Sequence, residues 1–222
     1  MNSKLFVAAV VLFGLGMGPA AAAVSDTTID ALPYSGDYPN PPGSGTSTDY
    51  VDLWDSLASE YPTPPAGYFF QTIPVWNDVS NSTAGGVDEN LAYHDSVTFT
   101  VTGATEGTWS FRIGVDFGYG GALLVDGQAL QTQDHDMWWA GSYSNPSQYL
   151  AGSIFLSPGT HTLDVYGAEN CCDGAIQGQY LEPGATNYST FAAPEPATWA
   201  TLLTGFAGLG VLACRRRTVS AA

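Results

Sequence analysis

The chain has 222 residues and a formal net charge of −16, with 21 Asp and Glu against 5 Lys and Arg. This balance excludes a module that binds nucleic acid through a basic surface, because phosphate contacts are made mainly by Lys and Arg. Only 12% of residues are charged, which also excludes a long coiled coil. Three classes remain: an exported β-rich domain, a small acidic enzyme and a partly disordered surface protein.

The N-terminus has the pattern of a secretory signal peptide over residues 1–23. Lys4 supplies the positive start, an apolar run follows from Leu5 to Met17, and Ala20 to Ala23 are small residues that signal peptidase accepts. As a helix, this apolar run is too short to span the ~30 Å hydrocarbon core of a bilayer. We therefore predict a signal helix, cleavage by signal peptidase after Ala23, and export.

Residues 24–66 form a lead rich in Pro, Gly, Ser and Asp, a composition typical of turns and extended chain. One short helix is predicted within it from Thr48 to Glu60, with Thr48 as its cap. The apolar residues that recur at helical spacing are Val51, Trp54, Leu57 and Ala58. This stripe predicts a helix that packs against the following domain.

Residues 67–185 are predicted to form a domain of short strands rich in β-branched and aromatic residues, separated by turn residues. The predicted strands are Tyr68–Trp76, Ser96–Thr102, Thr108–Asp116, Ala122–Val125, Gln148–Leu156, Thr160–Tyr166 and Ala175–Leu181. Strict alternation of apolar and polar residues in several of them indicates one face in water. The pattern predicts an all-β fold, a β-sandwich or jelly-roll-like barrel, followed by a linker at 186–193.

Part of this domain, residues 96–181, resembles the PA14-type β-domain. The resemblance rests on a strand ending at Asp116, the hairpin Leu-Leu-Val-Asp126-Gly127 and the later segment Pro-Gly-Thr-His161. It implies a PA14-like sandwich. Some PA14-like lectins bind sugar through calcium held by two adjacent Asp, whereas here Asp116 is followed by Phe117. The Asp-Gly pair is also explained by hairpin-turn chemistry alone, without a ligand.

Acidic and amide side chains in the loops are candidate ligands for calcium, a hard cation that takes about six to eight oxygens. These candidates are Asp116, Asp134, Asp136, Glu169, Asn170 and Asp173. The alternative is that they are ordinary solvated loop residues, since acids are usually exposed.

Tyr119, Trp138 and Trp139 are candidate glycan contacts, because exposed aromatic rings stack on sugars. Packing in the core is the alternative, and alternation predicts one tryptophan inside and one outside. His161 shares a predicted strand face with apolar residues, which favours a half-buried histidine over a ligand. No hydrolase, zinc-protease, phosphate-loop or EF-hand pattern occurs in the body, so we predict no catalytic residue.

Cys171 and Cys172 are adjacent in the segment Glu169–Gly174 and are the two cysteines of the predicted exported body, since Cys214 lies in the tail. Export implies an oxidising compartment. Of three alternatives, a vicinal disulfide, two free thiols or bonds between chains, we predict the vicinal disulfide, because the compartment is oxidising and the body holds no other cysteine. A vicinal bridge is constrained, because adjacent Cα atoms lie about 3.8 Å apart whereas disulfides usually span about 4.4–6.8 Å.

The C-terminus carries a second apolar run, Thr198 to Cys214. It is preceded by Pro194, Glu195 and Pro196 and followed by Arg215, Arg216 and Arg217. A helix of this length just spans a bilayer, and the arginines place its end in the cytoplasm. With its three parts in this order, the segment 194–217 resembles the PEP-CTERM sorting signal. A plain tail anchor is the alternative.

The PEP-CTERM resemblance implies recognition by an exosortase, a membrane protease-transpeptidase of Gram-negative bacteria that make exopolysaccharide. The Cys-Cys-x-Gly segment together with this tail resembles the CCxG-type PEP-CTERM family, which implies no particular activity. We therefore expect a precursor anchored in the inner membrane and then sorted to the cell envelope or exopolysaccharide matrix. We expect it to bind glycan or to serve as structure there, with calcium as an optional ion. A secreted glycan hydrolase using paired carboxylates and a purely structural surface protein are the alternatives.

Overall fold

The computed structural model describes residues 23–37 and 40–192, which form two antiparallel sheets packed face to face. The strands are β1 (Ala23–Pro33), β2 (Phe70–Thr72), β3 (Asn77–Val79), β4 (Glu89–Val101), β5 (Gly107–Gly114), β6 (Gly121–Val125), β7 (Gln128–Gln133), β8 (Tyr149–Leu156), β9 (Gly159–Cys171), β10 (Ile176–Leu181) and β11 (Ser189–Thr190). One sheet has the order β2-β1-β4-β9-β6-β7. The second has the order β11-β10-β5-β8, with β3 paired to β10. The predicted all-β sandwich is confirmed.

The largest difference from the prediction is β1, which lies in the segment interpreted as a lead. It pairs with β4 along ten positions and so forms an interior strand of the six-stranded sheet. A register shift between Val24 and Asp26 breaks its alternation, and the polar Thr27 occupies a buried position. A bulge combined with a polar core residue removes the period-two signal by which strands are recognised.

The other strands differ from their predictions mainly in length. The strand predicted from Tyr68 to Trp76 is reduced to the short β2, whereas β4 and β9 both reach thirteen residues. β3, β7 and β11 were not predicted, although the turn that leads into β7 was. β11 lies in the segment predicted to be a linker, where it pairs with β10 and is followed by the buried Phe191. Asp126 and Gly127 both have positive φ, 50° and 76°, as a two-residue hairpin of this type requires.

The predicted helix is present as α1 (Ser47–Glu60), but its N-cap is Thr46 rather than Thr48. The Thr46 side chain accepts a hydrogen bond from the Asp49 N–H, while the Asp49 carboxylate accepts from the Thr46 N–H. This reciprocal capping box explains why the helix begins there. Tyr50 and Trp54 are its buried residues and pack on the outer face of the six-stranded sheet.

The core between the sheets is aromatic. Trp76, Trp109, Phe99, Phe111 and Phe191 are fully buried, and the Phe99 and Trp109 ring centroids lie 5.5 Å apart. Burial of such rings is the main stabilising contribution of the fold.

Four connections cross between the sheets at one end of the sandwich, which we call the site end. One is segment 80–88, which links β3 to β4. The other three are the segments 115–120, 134–148 and 172–175, which link β5 to β6, β7 to β8 and β9 to β10. Among the described residues, no helix is long and apolar enough to cross a membrane. Residues 1–22 of the predicted signal peptide and the sorting signal at 194–217 lie outside the described residues, whereas Ala23 is the first residue of β1.

Candidate binding pocket at the site end

Three of the crossing segments, 115–120, 134–148 and 172–175, enclose a cavity of about 340 Å³, which we call the edge pocket. Its lining residues are Asp116, Asp136, Trp138, Glu169, Asn170, Cys171 and Cys172. The volume lies within the range of small-molecule sites, about 300–1,000 Å³. Loops that are far apart in sequence therefore contribute acids, an amide, a tryptophan and both cysteines to one concave surface.

Met137 anchors the second loop and thereby places two pocket residues. It is fully buried and forms a two-bond bridge with Phe117, with N–O distances of 2.9 and 3.1 Å. Its neighbours Asp136 and Trp138 therefore lie at the rim. The Trp138 N–H donates to the Gln148 side-chain oxygen, and 66% of Trp138 remains exposed.

Glu169 lies in the pocket wall, where it is 2% exposed, and its hydrogen bonds connect two of the loops. One carboxylate oxygen accepts the Gly118 N–H at 2.6 Å. The other accepts the N–H groups of Asn170 and Cys171, each at 2.8 Å. The pKa of Glu169 is raised to about 7, mainly by burial; the backbone donors to its carboxylate lower the pKa and the nearby Asp116 raises it, both by less than burial does.

Asp116 links the first loop to the other two. Its carboxylate accepts backbone hydrogen bonds from Gly174 and Trp139. Burial raises the pKa of Asp116 to about 6, with further contributions from Asp173 and Asp136. Its carboxylate also lies where a Cβ at Gly174 would stand, so glycine is required for this close approach.

Cys171 and Cys172 are joined as a vicinal disulfide at the mouth of the pocket, the first of the three alternatives. Both residues are exposed, and Cys172 has a φ of 71°. The bond forms a small ring with the intervening peptide and presents its sulfur atoms next to the carboxyl groups of the pocket.

Asp173 follows the disulfide but does not line the pocket. Its carboxylate accepts the Tyr93 hydroxyl at 2.6 Å and the Ser82 N–H at 2.7 Å. Burial raises the pKa of Asp173, while these hydrogen bonds lower it. Its position is that of a buried link between loops.

Three other predicted site residues also lie outside the pocket. Asp134 is exposed near the loop that precedes α1. Tyr119 is 3% exposed, and its hydroxyl donates to the Gly36 carbonyl at 3.0 Å, so it does not present a ring to solvent. Trp139 lies half-buried on Gly114, on the outer face of the second sheet, and not in the core. Alternation therefore separates the two tryptophans, but neither enters the core.

His161 is a half-buried histidine with hydrogen-bond partners, as its strand position predicted. Its two ring nitrogens lie 2.7 Å from the Asp126 carboxylate and 2.8 Å from the Ser157 carbonyl.

The donors of the edge pocket do not fit a calcium ion well. Two of its three carboxylates, those of Asp116 and Glu169, already accept backbone hydrogen bonds, and Asp173 lies outside the pocket. Within residues 23–37 and 40–192, no three His, Cys, Asp or Glu side chains are grouped so that they could hold a metal ion. A hard cation requires more oxygen ligands than this arrangement offers.

No family model matches the chain. The chain is 32% identical over 136 residues to a cycloisomaltooligosaccharide glucanotransferase of Niallia circulans. This match covers 57% of the chain but only 13% of that enzyme. The chain therefore corresponds to a small segment of the curated relative.

Solved structures with a similar arrangement include two PA14 domains. One is the PA14 sugar-binding domain from an RTX adhesin, with a TM-score of 0.47 and 14% identity, covering 77% of this chain and 97% of that one. The other is the PA14 domain of an antifreeze protein, with a TM-score of 0.47 and 13% identity, covering 79% and 91%. The A domain of epithelial adhesin 9 from Candida glabrata, solved with Galb1-4GlcNAc, gives 0.45 and 7% identity, covering 75% and 86%.

Proposed function

We propose that the domain is a non-catalytic glycan-binding module and that the edge pocket is its binding site. The observation that carries the proposal is the chemistry assembled around one cavity. Trp138 offers an exposed aromatic face, the disulfide ring offers an apolar sulfur surface, and Asp136 and Asn170 offer hydrogen-bonding groups. Sugars present the same combination, with apolar C–H faces and hydroxyl edges.

Neutral glycans are the class that best fits this pocket. Three carboxyl groups line the cavity in a chain whose net charge is −16. The negative electrostatic potential that these charges produce repels anionic polysaccharides. The segment of similar sequence belongs to an enzyme named for gluco-oligosaccharides, which makes these sugars the first ligands to test.

A glycan hydrolase is the second candidate, favoured by the raised pKa values of Asp116 and Glu169 inside one cavity. The hydrogen bonds of these two carboxylates argue against hydrolysis. Their oxygens accept backbone N–H groups of the loops and so position the loops. A general acid or base needs its oxygens directed at the substrate.

Sorting by an exosortase to the cell envelope or matrix is the second part of our proposal, since it would deliver the domain to extracellular glycans.

Binding should depend on the exposed tryptophan. In the purified full chain, Trp138→Ala is expected to weaken binding of gluco-oligosaccharides on a glycan array at least about tenfold, because stacking is removed while the wall stays intact. Phe155→Ala is the matched control. Phe155 is 61% exposed but lies on the second sheet, away from the pocket.

The same array, run with calcium and with a chelator, separates the remaining possibilities. Equal signals in both conditions would support binding without a metal, and loss with the chelator would establish a calcium-dependent site. Flat signals for the unaltered chain in both conditions would overturn the glycan-binding proposal in favour of a structural role. Hydrolysis that disappears in Asp116→Asn would identify an enzyme.

A further inference from the structure

A second cavity of about 260 Å³ lies at the site end, on the outer side of the second sheet. It is lined by Asn77, Asp78, Trp139, Gly141 and Gln177. None of the predicted ligands except Trp139 lies there. The cavity thus combines an aromatic ring with two amides and a carboxylate, the same types of group that line the edge pocket.

The packing of two strands forms this second cavity. Asn77 of β3 pairs in register with Gln177 of β10, and the Gln177 amide donates to the Asn77 side-chain oxygen. Gln177 also pairs with Gly114 of β5, on which the Trp139 indole lies. A Cβ at residue 114 would overlap the indole, so the missing side chain there makes room for the ring. Tyr143 supports the indole with a ring-centroid distance of 4.5 Å.

Two separate stretches of chain run directly from the edge pocket to the second cavity. In the first, Asp136 and Trp138 line the pocket and Trp139 and Gly141 line the cavity. In the second, the disulfide lines the pocket and Gln177 lines the cavity. Trp138 and Trp139 are consecutive, with Cα atoms about 3.8 Å apart, so one peptide of the chain contributes a lining residue to each cavity.

We propose that the two cavities are successive subsites for one glycan chain, and that the ligand is an oligosaccharide longer than a disaccharide. One part of the chain stacks on Trp138 in the edge pocket. The next part crosses the Trp138–Trp139 backbone and bonds with the amides of Asn77 and Gln177. This inference rests on the proposed glycan-binding function and specifies the length of the ligand.

The test is the dependence of affinity on chain length. The experiment is a calorimetric titration of the full chain with isomalto-oligosaccharides, from disaccharide to hexasaccharide. Affinity should rise about tenfold with length, as expected when a second subsite is filled. In Gln177→Ala, affinity for the disaccharide should be unchanged and the rise with length should disappear. Gln128→Ala, which changes an exposed glutamine at the opposite end of the sandwich, is the control and should keep the rise.

The outcomes distinguish the two proposals. If the disaccharide binds but affinity does not increase with length, the second cavity is not a subsite while the proposed function stands. The same conclusion follows if Gln177→Ala retains the full rise. If no member of the series binds, the proposed function fails for gluco-oligosaccharides and this inference fails with it. The thermal midpoint of each variant verifies that it is folded.

Discussion

Replacing Glu169 with alanine is expected to lower the free energy of unfolding by about 3 kcal/mol and to abolish glycan binding. The side chain accepts three backbone N–H groups, from Gly118, Asn170 and Cys171, in a wall that is almost fully buried. Alanine leaves these donors without partners and releases the loops that carry Asp116 and the disulfide. Urea unfolding and calorimetric titration at pH 7 measure the two effects.

Two companion variants make this prediction specific. Glu169→Gln retains one acceptor oxygen, so we expect a smaller loss of stability than for alanine. Glu106→Ala removes an exposed glutamate from the β4–β5 turn at the opposite end, and it should change neither measurement. Unaltered binding in a folded Glu169→Ala protein would show that the edge pocket does not need this wall and would argue against it as the binding site.

Replacing Asp95 with asparagine should stabilise the fold at pH 8 by about 2 kcal/mol. Asp95 lies in β4, is fully buried and faces the core, and neither of its carboxylate oxygens has a hydrogen-bond partner. Its cross-strand neighbours, Ile29 and Val165, are apolar. Burial raises the pKa of Asp95 well above its ordinary value, and the carboxyl groups of Asp30 and Asp173 raise it further.

The sign of the pH dependence follows from this raised pKa. In the unfolded chain Asp95 loses its proton near pH 4, whereas in the folded domain it retains the proton to higher pH. Stability therefore decreases as the pH rises above about 4, until the folded group ionises. Asparagine cannot ionise, so the variant should match the parent at pH 4 and exceed it at pH 8.

Thermal and urea unfolding from pH 4 to pH 8 test this prediction. The parent should be more stable near pH 5 than near pH 8, since burial also raises the pKa values of Asp116 and Glu169 to about 6 and 7. Asp95→Asn should make the slope shallower, and Asp52→Asn, on the exposed side of α1, should leave it unchanged. Parallel curves for the parent and Asp95→Asn would show that Asp95 is not protonated in the folded domain.

The parts of the fold predicted from sequence are those in which local pattern and burial agree. β5 and residues 96–101 of β4 show strict alternation, because the inner faces of these segments are wholly apolar and their outer faces are polar. β1 was not predicted because its bulge and the buried Thr27 break this pattern. Its pairing with β4 supplies the stability that its own residues do not.

The candidate site was predicted in part. Asp116, Asp136, Trp138, Glu169 and the two cysteines were chosen for their chemistry, and these residues line one cavity. Asp134, Asp173 and Tyr119 have the same chemistry but lie elsewhere, because the directions of loop side chains depend on contacts such as the Phe117–Met137 bridge. Asn77 and Gln177 carry no motif, and only their cross-strand pairing brings them beside Trp139.

The net charge, the β character and the concentration of acidic and aromatic residues at strand ends can be predicted from the amino-acid sequence, since all three follow from composition and periodicity. Which of those residues come into contact depends on the packing of the two sheets. The two sheets bring segments 115–120, 134–148 and 172–175 to the same end of the sandwich, and the hydrogen bonds of Asp116 and Glu169 hold them around one cavity. Convergence of this kind arises from contacts between distant strands, which are not encoded in any local segment of the chain.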